Sequence, residues 1–530
     1  MKVLLIWLII FLSLGSSAQV PAGKVRKAFM GELPGPFPEL RDQQPVSQFY
    51  SFYEFELAWM EAPDAGLRNQ LTALLGSAEN YGLEKPVELL ALIDRMQSGK
   101  MSLSLQDSIY MDIRLTDAAI WFFYELQYGT HAPNFRYAGV HSQPGISLTI
   151  WHLAESCKIH SLKLMLTLLE PQTSEYKQAK TWLNRFGRVL KSEGFREVKI
   201  TSSKVGFSNK SLVSKLVQLG YWDPAQPMEE ALLIKALQQA QKSMDLLSDG
   251  KLRSTALAAL NVPVRRRYEE LKELLNVLRY MNGLREHGSL AVVNIPSADL
   301  FVYRFDSLFL YSKMVVGKPS TPTPLLSSHI NEVILYPYWH VPHKIATREL
   351  LPSIKRNPSY LEANNFQVLD HSGKLVNPKH INWRSLSASN FPYTLRQSTG
   401  CDNSLGIIKF NFYNPFTVYL HDTPAKELFS MNRRYFSHGC MRVEKPVELA
   451  QFLLKEKADV VDSLTRACLL EQKPSVIRLE ETVPLLVLYQ TAWFTNDGYI
   501  RFYEDSYKKN TSGKLTVSSA SLHDPAMVLN

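Results

Sequence analysis

Apolar residues recur at three- and four-residue steps through the first third of the chain. In "GLRNQLTALLGSAENYGL", Leu67, Leu71, Leu74 and Leu75 fall on one helix face. "DIRLTDAAIWFFYELQYG" repeats the pattern, with Thr116 and Asp117 as candidate caps and Gly129 as a stop. "SEYKQAKTWLNRF", 174 to 186, adds a further helix of this kind. From about Phe49 to Thr130 the expectation is helical, with scaffold or interaction faces and no catalytic content. A second helical group lies between roughly Phe207 and Val262: "NKSLVSKLVQLGYW", "MEEALLIKALQQAQKSM" and "DGKLRSTALAALNVP". The basic helix "RRRYEELKELLNVLRYM" follows it.

From Leu290 the period changes. β-branched and aromatic residues alternate with polar ones in "SLAVVNIPSADLFVYRF" and "SLFLYSKMVVG", which predicts hairpin strands. A Pro-rich, aromatic stretch, "YPYWHVPHKIATRELLPSIKRNPSYL", reads as a functional lid more readily than as a spacer. Two more strands are expected in "IIKFNF" and "FTVYLHDT", joined by a turn at Tyr413-Asn414-Pro415. In the second, Phe416, Val418 and Leu420 share one face, and Thr417, Tyr419 and His421 share the other. "VEKPVELAQFLLKEK" then predicts a helix with Pro446 in its first turn.

Composition places these elements. At 530 residues, with 45% apolar and 21% charged residues, the chain has material for two to four domains. Lys2, an apolar run from Val3 to Leu14 and the small residues Ser16-Ser17-Ala18 read as a secretory signal peptide over 1–18. The run is shorter than the ~20 residues that span a bilayer, so the alternative is an uncleaved tether. The expected location is the periplasm or cell envelope. A net charge of +9, from 59 basic and 50 acidic residues, favours an anionic neighbourhood. For a secreted chain an acidic wall polymer fits that better than nucleic acid. Four cysteines, Cys157, Cys401, Cys440 and Cys468, are too few and scattered for a disulfide framework, and none forms a CxxC pair for zinc or redox chemistry. A reactive thiol remains.

Cys440, in "YFSHGCMRV", is the candidate. A glycine precedes it and a predicted helix follows, so unpaired N–H groups and the positive end of a helix dipole would stabilise its thiolate. His438 and Arg442 flank it and would add to that effect. The N–H groups of Gly439 and Cys440 would form an oxyanion hole. His421, on a strand upstream, is the candidate base. Residue chemistry alone suggests a cysteine acyl-transfer site without deciding it.

The stretch "VYLHDTPAKELFSMNRRYFSHGCMRV" resembles the signature of the YkuD-type L,D-transpeptidases, and is most similar to their large YcbB-like subgroup. "VVGKPSTPTP", "QSTGCDNSLGIIKF" and "YQTAWFTNDGYIRFYEDSY" agree with that subgroup, as does "DIRLTDAAIWFFYEL" upstream. The resemblance implies a multidomain α+β protein with a mainly β catalytic domain at 286–470 and a capping subdomain at about 346–396. It also implies a helical scaffold at 25–200 with a linking helix at 265–285, a degenerate peptidoglycan-binding-like unit at 201–264, and a C-terminal segment at 471–530.

On that resemblance Cys440 would attack the amide before the terminal D-Ala of a peptidoglycan tetrapeptide stem, with His421 as base and then acid. Ser437, His438 and Gly439 would shape the loop. Arg442 would bind a stem-peptide carboxylate or serve a structural salt bridge. Tyr419 and Trp339 are candidate substrate-binding residues, Trp339 with Tyr338 and His340 being core aromatics or a groove wall. A diamino acid on a second stem would release the thioester as a 3→3 cross-link. No metal or organic cofactor is implied. The expected partners are donor and acceptor stems, and other cell wall enzymes, and carbapenems would acylate the thiol. Carboxypeptidase, protein-anchoring and non-catalytic wall-binding readings stay open.

Two features depart from the family pattern. Cys401 stands where proline is usual, which raises a bridge to Cys440 that would silence the site, or a merely buried thiol. In the small helical unit Ala240 precedes Gln241 where phenylalanine is usual, and Arg253 replaces a glycine, which puts its glycan binding in question. Asn403 and Gly406 match family positions and are expected to be structural.

Overall fold

The computed structural model describes residues 23–33, 36–60, 65–140, 145–286, 288–455, 459, 461 and 472–509. The expected signal peptide and Cys468 lie outside the described residues. Two compact units emerge, one of 1–130 with 143–171, the other of 131–142 with 172–530. No helix among the described residues is long and apolar enough to cross a membrane.

The first unit is helical throughout its described length, apart from turns and loops. Its longest helix, Leu105–Tyr128, corrects the expected caps. Ser104 caps it in a reciprocal pair with Asp107, while Thr116 and Asp117 lie mid-helix; Gly129 ends it as expected. Thr116 is turned inward, where its hydroxyl binds the Asp112 carbonyl and receives the Trp59 indole N–H. Asp112 is the unit's polar hub. Its fully buried carboxylate accepts from Tyr50 Oη at 2.5 Å and from the backbone N–H groups of Ala58, Trp59 and Met60 at 3.1, 2.7 and 2.9 Å. Burial outweighs those donors and lifts its pKa to about 6.

In the second unit, helices Lys210–Leu219, Glu230–Ser243 and Ser254–Leu260 form the small unit read from sequence. Gln241 is buried there and holds a turn, accepting from Gly250 N–H and donating to the Lys251 carbonyl. Helix Ser174–Lys191 packs against helix Val264–Arg285 in the same core, so the 25–200 segment runs across both units.

Sixteen strands are described: β1 (Tyr137–Ala138), β2 (Ser289–Asn294), β3 (Asp299–Arg304), β4 (Ser307–Gly317), β5 (Leu326–Leu335), β6 (Trp339–His340), β7 (Phe366–Leu369), β8 (Leu375–Val376), β9 (Thr394–Gln397), β10 (Ile408–Phe412), β11 (Leu420–His421), β12 (Tyr435–Ser437), β13 (Met441–Val443), β14 (Ser475–Leu488), β15 (Ala492–Phe494) and β16 (Ile500–Phe502). The main sheet runs β5-β10-β11-β13-β4-β3-β2-β14, and β14 pairs back onto β5, so the sheet closes on itself. β2 is buried on both faces: Ala291 and Val293 enter one core, Leu290 and Val292 another. That is why "SLAVVN" is almost wholly apolar. The Pro-rich stretch folds as a separate small sheet, β6-β9-β7-β8, with its own core around Leu351, Ile354, Trp383 and Leu395.

Replacing Asp112 with alanine strands three backbone donors, those of the buried Ala58 and Trp59 and the half-buried Met60. We expect a loss of about 3 kcal/mol or more in the first unit, read by urea denaturation.

Candidate active site

Asn414 builds the approach to the site. Its side chain accepts from the N–H groups of Phe416 and Val418 and donates to the carbonyls of Phe412 and Val418. Thr417 takes a φ of 55°, so the expected strand through 416–421 shrinks to Leu420–His421. The short strand still decides the geometry. It pairs in parallel with β13, Leu420 opposite Met441 and His421 opposite Arg442. Leu420 and Met441 enter the buried core. By alternation Tyr419, His421, Cys440 and Arg442 share the opposite face, with Cys440 diagonal to His421 on the neighbouring chain. Met441 N–H bonds the Tyr419 carbonyl at 3.1 Å, which continues the pairing one step further.

The loop before Cys440 is tied from within and without. Ser437 Oγ donates to the Cys440 carbonyl at 2.5 Å and accepts from Gly439 N–H at 3.1 Å. Thr323 and Thr321 donate to the carbonyls of Gly439 and Ser437 at 2.9 and 3.2 Å. Gly439 has a φ of 120°, which only glycine adopts without strain. Its N–H is engaged by Ser437, so of the expected oxyanion pair Cys440 N–H is the candidate that remains. His438 Nε2 is 2.8 Å from the Glu349 carboxylate, joining the loop to the π-helical turn Ala346–Leu350 of the small Pro-rich subdomain.

The helix expected to follow Cys440 has Pro446 in its first turn as read, but β13 lies between it and the cysteine. The helix dipole therefore does not serve the thiol. Burial pushes the Cys440 thiol up, and the opposing influences come from Tyr419, whose backbone N–H and hydroxyl both donate to the sulfur, and from the charges of Lys409 and Arg442. Tyr419 Oη in turn accepts from the side chain of Trp339.

His421 is buried, and its Nδ1–H donates to the Asp422 carbonyl at 2.5 Å, leaving the Nε2 lone pair available. Burial, with the charges of Arg442 and Lys409, pulls its pKa down to about 3. The resting pair is neutral thiol and neutral imidazole, which corrects the expectation of a standing thiolate.

Asp422 fixes this strand end. It accepts from Ile407 N–H at 3.0 Å and from Lys426 at 2.5 Å. Gly406, at a φ of 61°, lies so close to it that a Cβ there would stand 2.2 Å from the carboxylate. Asn403 is buried and bonds the carbonyls of Pro337 and Ser398 and the N–H of Leu405. Arg442 forms no ion pair among the described residues, and its buried Nε has no hydrogen-bond partner, so the structural salt bridge is absent. Cys440 and Cys157 are free thiols, and Cys401 is disulfide-bonded. The silencing bridge between Cys401 and Cys440 is thereby overturned. Sequence reasoning missed Lys409, which pairs with His421 on β10 and sits 4.2 Å over the Tyr419 ring.

Residues 288–462 match the family model of the L,D-transpeptidase catalytic domain, YkuD. They belong to that family. Residues 44–183 match a Scaffold domain. A relative from Haemophilus influenzae named "Putative L,D-transpeptidase" is 38% identical over 208 residues, 39% of this chain and 42% of the relative. The chain therefore spans less than half the length of that curated relative. Among solved structures, an L,D-transpeptidase from Mycobacterium smegmatis aligns at 13% identity over 38% of this chain and 58% of its own, with a TM-score of 0.19. One from Stackebrandtia nassauensis aligns at 12% over 55% and 97%, with a TM-score of 0.18. The YkuD assignment rests on the sequence match.

A neutral resting pair sets the pH behaviour. The rate of Cys440 alkylation by iodoacetamide, followed by peptide mass mapping, should show no inflection near the ordinary histidine value of about 6.5 and should rise on the alkaline side of the usual cysteine range. Tyr419→Phe removes one donor to the sulfur and should slow alkylation at pH 8 about tenfold. The buried neutral imidazole also bears on stability. Its folded pKa lies below the unfolded one, so its contribution is present above about pH 6.5 and is lost as pH falls toward 3. His421→Gln should narrow the gap between melting temperatures at pH 7 and pH 5.

Proposed function

We propose that this protein is a peptidoglycan L,D-transpeptidase with Cys440 as nucleophile and His421 as its acid–base partner. The observation that carries the reading is the shared face of Cys440 and His421 on adjacent strands inside a YkuD-family domain. In the proposed cycle His421 Nε2 takes the thiol proton as sulfur attacks the carbonyl of the diamino acid–D-Ala amide. The imidazolium then protonates the departing D-Ala amine, leaving a thioester. The side-chain amine of a second stem attacks that thioester and gives its proton to His421; the C–S bond breaks, the departing sulfur takes that proton back from the imidazolium, and the new amide is a 3→3 cross-link. Because both groups start neutral, charge separation arises only during attack, where the two donors from Tyr419 already face the sulfur. A secreted, envelope-facing location accords with the N-terminal pattern and belongs to this proposal.

Incubation with disaccharide-tetrapeptide, followed by mass spectrometry, tests it. Wild type should yield the cross-linked dimer and free D-Ala, and Cys440→Ala and His421→Ala should each lose at least a thousandfold in rate. A tripeptide product without dimer would assign the site to hydrolysis instead. Full activity in Cys440→Ala would end the proposal. A carbapenem should add its mass to wild type and not to Cys440→Ala.

A further inference from the structure

Two cations on the active face form no ion pair among the described residues. The register sets Lys409 opposite His421 on one side and Arg442 opposite His421 on the other, so a row Lys409–His421–Arg442 crosses three strands. Both side chains are half-buried. Among the described residues neither has an ion pair, and the Lys409 ammonium meets only the face of the Tyr419 ring, at 4.2 Å. The neighbouring carboxylates do not neutralise them. Glu332 accepts from Asn411 at 2.7 Å on the next row, and Glu427 is exposed; each is felt as a field and not as a contact. The strand partners that flank the row are Ile334 and Val315, which carry no charge, and the His340 imidazole lies near enough to Lys409 for that ammonium to join burial in lowering its pKa. Half-buried cations without partners are unfavourable unless an anion arrives, and here two flank the reacting thiol.

We propose that Lys409 anchors a free carboxylate of the donor peptide, working across His421 from Arg442, and so makes the site selective for stems in which that carboxylate is not amidated. This rests on the transpeptidase reading above. A tetrapeptide donor carries such a group on either side of the scissile amide, one on the diamino acid and one on the terminal residue. The ligand chemistry is the same for both. Lys409 suits the task because a half-buried ammonium, seated on an aromatic ring, keeps its three donors free to swing onto an arriving carboxylate.

The test uses the full chain and three synthetic tetrapeptide donors: the free acid, the diamino-acid amide and the terminal amide. Wild type should prefer the free acid over one of the two amides by about tenfold or more in kcat/KM, expressed in KM. The amide that is disfavoured identifies which carboxylate Lys409 holds. Lys409→Met should lose that preference by weakening the free acid to the level of the amide, and Lys409→Arg should restore it. Equal use of all three donors by wild type overturns the anchor, as does a Lys409→Met protein that keeps the wild-type preference or loses kcat with KM unchanged. If wild type consumes none of the three, the transpeptidase reading itself falls.

Discussion

Four residues in two backbone pairs hold the site together. Among the described residues, the strand pairing between the histidine's segment and the cysteine's is the parallel contact of Leu420 with Met441 and His421 with Arg442, extended by the Met441 N–H bond to the Tyr419 carbonyl. Short parallel pairings are weak by themselves, and this one is supported from outside. Asp422 ties the histidine's strand end to Ile407, and Thr321, Thr323 and Ser437 hold the loop that delivers the cysteine. Arg434, just ahead of that loop, bonds the carbonyls of Met314, Met431, Ser297 and Ala298 and the carboxylate of Asp299. A one-residue slip would turn Cys440 into the core and Met441 onto the reactive face.

The same packing sets the electrostatics. Burial disfavours every charged form, so the thiol and the imidazole both rest neutral, while Lys409 and Arg442 keep a positive field over them. That field lowers the affinity of His421 for a proton and raises the stability of a sulfur anion. The two effects oppose each other in the resting enzyme and cooperate only when negative charge develops on substrate. Tyr419 mediates: its hydroxyl stands between Trp339 and the sulfur, and its ring lies under the lysine.

Much of this was legible in the chain. The β-branched runs of β2, β3 and β4 and the helical periodicities of the first unit needed only local pattern, and the two-residue step from Tyr419 to His421 put both on one face. What was not legible depended on partners far away. Thr417 in a left-handed conformation broke an apparently regular strand. The three residues of β13 are too few to show a period, so the helix with Pro446 in its first turn seemed to follow Cys440 with no strand between them. Ser104 and Asp107 carried a capping signature that was overlooked in favour of Thr116, whose hydroxyl is spent on a buried contact. Lys409 alternates with Ile408 and Phe410, and a lone lysine at such a position reads as solvent-facing until its neighbours are known. β14 escaped notice because its first half, "SVIRLEE", is rich in charge and alternates half-buried with exposed positions.

That last strand has a consequence for how the protein comes into being. β14 is the piece that seals the ring, wedged between β2 and β5, yet it follows His421 and Cys440 in the chain. Long-range closures of this kind are slow steps. Until β14 docks, the strands that carry His421 and Cys440 belong to an open sheet, so the finished geometry of the pair waits on a segment made after both.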